Sequence, residues 1–91
     1  MEPLSKLFER FEVVCQTAAT FVAFIREGAQ GEVLDRLSSK ARQTLKLGSA
    51  LAKFDYRGNS LTYVAPDRLI VRLKDAGTLE DAKALLREIF G

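Results

Sequence analysis

The stretch KFDYRGNSLTYVAPDRLIVRLK, Lys53 to Lys74, interleaves aromatic and basic residues at strand spacing, and its register decides what sheet the chain can build. Phe54 and Tyr56 fall on one side of a first strand, and Lys53, Asp55 and Arg57 on the other, because strand side chains alternate. Gly58-Asn59 has the composition of a two-residue hairpin loop, since glycine takes positive φ freely and asparagine tolerates it. That loop predicts Tyr56 facing Leu61 and Phe54 facing Tyr63. A second turn is expected at Pro66-Asp67. An even loop there pairs Val64 with Leu69 and gathers Phe54, Tyr56, Leu61, Tyr63, Ile70 and Arg72 on one face, flanked by Arg68 and Lys74. A three-residue loop instead sets Leu61 and Tyr63 beside Leu69, Val71 and Leu73, which makes the aromatics ordinary core.

Upstream, Glu2 and Pro3 suit the start of a helix. Leu4, Leu7, Phe8, Phe11, Val14, Cys15, Ala18, Phe21, Val22 and Ile25 then recur at spacings of three and four, predicting one long helix. Val13, Thr17, Thr20 and Phe24 lie beside that stripe, so the helix is apolar over more than one face. A subunit contact through Thr17, Thr20 and Phe24, in a homodimer or homotetramer, is the expected cover. The uncharged run Val13 to Ile25 is shorter than the roughly 20 residues that span a bilayer, so no membrane partner is expected. Gly28 and Gly31 separate a second helix, whose buried side runs from Val33 to Ala52. Its flanks carry Arg36 and Lys40 on one side and Arg42, Lys46 and Lys53 on the other.

Downstream, Thr78 is placed to cap a last helix with Glu80 and Asp81 in its first turn. Leu79, Ala82, Leu85, Leu86, Ile89 and Phe90 form its apolar stripe. The expected fold is a single α+β domain over residues 1–91: a helical hairpin, a short antiparallel β-meander of two or three strands, and a C-terminal helix packed on the sheet.

With 47% apolar and 29% charged residues, the chain reads as globular rather than disordered. Cys15 stands alone in an apolar run, which rules out an internal disulfide and reads as an inert core thiol in a cytoplasmic, reducing setting. No charged segment precedes a cleavable apolar one, so no secretory signal is expected. The chain has no histidine, no phosphate-cradling glycine motif and too few cysteines for zinc, so neither an enzyme nor a metal or cofactor site is expected. Charge is segregated. Arg36 through Lys74 holds nine basic residues against Asp55 and Asp67, while the remaining segments are net acidic and bring the total down to +2. A local anion site follows from that asymmetry.

Basic residues interleaved with aromatics point to single-stranded nucleic acid, whose bases stack on rings while cations follow the phosphates. The residues expected to serve are Arg36, Lys40, Arg42, Lys46, Lys53, Arg57, Arg68, Arg72 and Lys74 for phosphates, with Phe54, Tyr56 and Tyr63 as the stacking surface. The competing expectation is a homo-oligomeric interaction or regulatory module that binds no nucleic acid. The order of elements, the hairpin leading into Lys53-Phe54-Asp55-Tyr56-Arg57, and the run Tyr63-Val64-Ala65-Pro66-Asp67-Arg68-Leu69-Ile70-Val71-Arg72 resemble ThermoDBP-related proteins, a thermophilic archaeal family that binds single-stranded DNA without an OB fold. That resemblance implies an oligomer holding single-stranded DNA, with little sequence preference, in a cleft or tunnel between subunits; the residues themselves leave RNA open as the other candidate.

Overall fold

The computed structural model describes residues 4–75 and 77–91, so the helix start expected at Glu2 and Pro3 lies outside the described residues. It contains a six-stranded antiparallel sheet and three helices, not a helical hairpin with a meander of two or three strands. The first correction concerns the long helix. Only Leu4–Leu7 is helical (α1), after which Phe8–Cys15 (β1) and Thr20–Ile25 (β2) form a hairpin turning through Gln16 to Ala19. Ala19 takes φ +48 and its N–H donates to the Gln16 carbonyl at 3.1 Å. This segment is rich in Val, Thr, Phe and Ile, whose branched or aromatic side chains fit a pleated surface better than a helix. The apolar residues on more than one helical face are therefore the two sides of a strand: Phe21, Ala23 and Ile25 face the helices, and Val22 and Phe24 face away.

The second helix is likewise shorter than its pattern. It runs from Gln30 to Lys40 (α2), with Gly31 inside its first turn, and Ala41 is already extended. Arg42–Leu47 (β3) and Leu51–Tyr56 (β4) follow as a hairpin, and Gly48 supplies the positive φ of +58 that turns it. Asn59–Val64 (β5), Arg68–Arg72 (β6) and the helix Leu79–Phe90 (α3) complete the chain. Spatial order is β1-β2-β6-β5-β4-β3, which leaves β1 and β3 at the edges.

Of the two turns in the central stretch, the first differs in detail from expectation and the second takes the three-residue alternative. The β4–β5 loop is Arg57-Gly58, both at positive φ, so Tyr56 pairs with Asn59 and Phe54 with Leu61, a shift of two that keeps the same face. Asn59 is committed to the strand end: its side chain donates to the Tyr56 carbonyl at 3.1 Å and accepts from Lys74 N–H at 3.0 Å. The β5–β6 loop has three residues, Ala65 to Asp67, with a cis Ala65-Pro66 bond. Tyr63 accordingly pairs with Leu69, and Leu61 with Val71.

All three helices lie on one sheet face and share one core with it. Phe8, Phe21, Phe54, Leu61, Leu69 and Val71 point from the sheet into Leu4, Val33, Leu37, Leu86, Ile89 and Phe90. Phe8 and Phe90 meet edge-on at 5.3 Å between ring centres. At the start of α3, Thr78 Oγ1 accepts from Asp81 N–H and Thr78 N–H donates to Asp81 Oδ2 at 2.8 Å, a reciprocal cap. No helix among the described residues is long and apolar enough to cross a membrane.

Candidate functional site

The sheet face opposite the helices is uncovered, and cross-strand pairing arranges its side chains in three rows that each cross all six strands. One row reads Leu47, Leu51, Val64, Arg68, Phe24, Arg10. The next reads Leu45, Lys53, Thr62, Ile70, Val22, Glu12, and the third Arg42, Asp55, Ser60, Arg72, Thr20, Cys15. At about 4.8 Å per strand a row is about 24 Å long. Five cations, Arg10, Arg42, Lys53, Arg68 and Arg72, thus share this face with two carboxylates, Glu12 and Asp55. Threonine, serine and aliphatic side chains lie between them.

Phe24 sits at the centre of the basic part. The Arg10 guanidinium lies 3.9 Å from its ring centre and that of Arg68 5.6 Å, so the ring is only 9% exposed. Arg10 also donates to Glu12 Oε2 at 2.7 Å, and Arg68 approaches Asp67 at 4.0 Å. Such exposed pairs are weak and exchange readily with another anion. Among the described residues, Arg42, Lys53 and Arg72 have no ion-pair partner.

This arrangement divides the residues expected from sequence. Arg42, Lys53, Arg68 and Arg72 come together on the open face, joined by Phe24 and Thr20, which the sequence assigned to a subunit contact on a helix. Thr17 lies in the β1–β2 turn. Arg36 and Lys40 belong to α2 in the helix layer, where Arg36 pairs with Glu32 at 3.6 Å and donates to the Phe90 carbonyl at 3.4 Å. Lys46 points to the helix side at the β3 edge, where it lines an open cavity of about 420 Å³ with Leu34, Ala52 and Phe54.

The stacking surface does not form. Phe54 and Tyr63 are core residues at 1% and 6% exposure, because the β4–β5 loop pairs Phe54 with Leu61 and the three-residue β5–β6 loop pairs Tyr63 with Leu69 beneath the helices. Tyr56 is half-buried on that same side and donates from its hydroxyl to Glu88 of α3 at 3.2 Å. Arg57 pairs with the same carboxylate at 3.1 Å. Cys15 is exposed rather than core, and a hydrogen bond with the Thr17 hydroxyl, followed by one from the Ala18 backbone, holds its thiol below the usual range. Arg10 is the residue that sequence reasoning missed. Its signal was the alternation Arg10, Glu12 against Phe11, Val13, which a helical reading of the segment hides.

Compared with family models, curated proteins and solved structures, the chain matches none of them. The helical hairpin that contributed to the resemblance to ThermoDBP-related proteins is also absent from the fold. Among the described residues no group of three or more acidic or thiol side chains is placed to hold a metal ion.

Proposed function

We propose that the chain binds single-stranded nucleic acid, DNA or RNA, across the helix-free face of its sheet, in the cytoplasm. The observation that carries this reading is the set of five cations against two carboxylates on one uncovered face, spread through three rows with aliphatic side chains between them. Phosphates displace the weak contacts to Glu12 and Asp67 and release counterions from the strand. Bases rest on guanidinium planes, which stack much as aromatic rings do, and on the part-exposed Ile70 and Val64. When Arg10 and Arg68 turn to phosphates they uncover the Phe24 ring for a base. This face carries no helix to enter a duplex groove, which favours single strands. Fluorescence anisotropy across salt concentrations, with single-stranded and duplex oligonucleotides in parallel, tests the reading. Three to five phosphate contacts give a log-log salt slope of about −2 to −3.5. Binding indifferent to salt, or stronger for the duplex, would overturn it.

A second reading has its own observation. At the β3 end of the open face Leu45, Leu47, Leu51 and Val64 adjoin, and Leu45 and Leu47 are exposed large hydrophobics. Self-association at that corner covers them and leaves the strip from Arg10 to Arg72 free, whereas pairing the whole face with its copy would oppose like charges. Light scattering decides it, since a monomer at working concentration removes this reading and leaves the first intact.

A further inference from the structure

Beyond the third row, the end of the sheet forms a pocket of about 310 Å³ where three chain segments meet: the β1–β2 turn, the β4–β5 turn, and the residues leaving β6. Its walls are tied together. Leu73 N–H donates to the Ala19 carbonyl at 3.0 Å, and Lys74 N–H donates to Asn59 Oδ1 at 3.0 Å. The lysine stem then lies against Gly58, where a Cβ would come within 2.9 Å of its Cδ, so glycine at this turn lets Lys74 run close along the backbone. Arg72, paired across strands with Ser60 and Thr20, reaches the pocket from the open face. The Thr17 and Ser60 hydroxyls complete the donors, and exposed Asp75 also lines the pocket.

We infer that this pocket takes the terminal phosphate of the strand bound on the open face, an inference that rests on the nucleic-acid reading above. Charge makes the assignment. A phosphate monoester carries nearly two negative charges at neutral pH, whereas an internal diester carries one. Arg72 and Lys74 favour the doubly charged monoester over the singly charged diester, and among the described residues neither has an ion-pair partner of its own. The planar guanidinium offers a fork of donors, the ammonium a compact charge, and the two hydroxyls can donate to the remaining oxygens. Exposed Asp75 offsets one of these two positive charges, which leaves the pocket suited to a single phosphate rather than to a polyphosphate. Position supports the same occupant: the pocket lies just past the middle of the third row, at the ends of β2, β5 and β6, so a strand that crosses the three rows along the strand direction finishes there.

The experiment compares one oligothymidine in three forms, 5′-phosphorylated, 3′-phosphorylated and with hydroxyls at both ends, and reads the ratio of affinities. One phosphorylated form should bind about ten- to a hundredfold tighter than the unphosphorylated strand. Lys74→Ala and Thr17→Val should each bring the ratio towards one, whatever they do to the absolute affinity. Lys53→Ala, remote from the pocket, should weaken all three forms and leave the ratio unchanged. Equal binding of all three forms by the wild-type chain overturns the terminal-phosphate pocket while the open-face reading stands. Failure of every form to bind overturns both.

Discussion

The covered and open faces of the sheet are built from the same strands, and they differ in what alternate residues do. In Arg68-Leu69-Ile70-Val71-Arg72, Leu69 and Val71 are sealed beneath the helices while Arg68, Ile70 and Arg72 meet solvent. In β4, Phe54 is core, and its neighbours Lys53 and Asp55 belong to the open rows. Period-two alternation lets a chain of 91 residues place its main core on one side of a sheet and keep most of the other side available. The division implies that substitutions on the covered face act on stability, and those on the open face act on binding.

The largest effect is expected beneath the helices. Phe54→Ala leaves a cavity between β4 and the helix layer and should lower unfolding free energy by about 3–5 kcal/mol, measured by chemical denaturation. A Phe54→Ala protein as stable as wild type, yet deficient in oligonucleotide binding, would reverse the assignment of the two faces. Next comes Arg68→Glu, which reverses a charge in the middle of the open face. Single-strand affinity should fall about tenfold and the salt slope should lose about 0.7, with Tm nearly unchanged. Loss of Tm without loss of affinity would mean that the Arg68 guanidinium serves to cover Phe24 rather than to hold phosphate.

The smallest effect sharpens the covered side. Thr78→Ala removes the cap of α3 and should lower Tm by about 5 °C without changing affinity. The same contact sets a pH dependence. Hydrogen bonds from the Thr78 backbone and then its hydroxyl hold the Asp81 carboxyl below its ordinary 3.8. A depressed folded-state pKa contributes stability that is present above the unfolded value and disappears as pH falls through the folded one. Wild type should therefore lose this contribution only below about pH 4, and Thr78→Ala, which removes the hydroxyl bond and keeps the larger one from the backbone N–H, should flatten the acid limb of the Tm profile in part. An unaltered acid limb would show that the Thr78 hydroxyl adds nothing to the hold on the Asp81 carboxylate.

What the sequence by itself determined is whatever local chemistry specifies. The alternation of Lys53 to Tyr56 and of Leu69 to Arg72 is legible as strand because one side is apolar and the other is not. Thr78 and Asp81 mark the last helix because a capping box is a contact between residues three apart. The sheet's extent was not legible. Phe21 to Ile25 is buried on both sides, so its residues show no period of two, and against Leu4 to Phe11 they completed a helical pattern instead. Arg42 to Leu47 carried a helical pattern onward from α2, and only pairing with β4 makes it a strand. Tertiary structure also decided which residues make the candidate site. A three-residue loop at Ala65 to Asp67 turned Tyr63 inward with Leu69. Pairing of β2 with β1 on one side and β6 on the other brought Arg10, Phe24 and Arg68, far apart in the chain, into one row. Strand order and register depend on backbone hydrogen bonds between distant segments, and those bonds are not encoded in the spacing of any one of them.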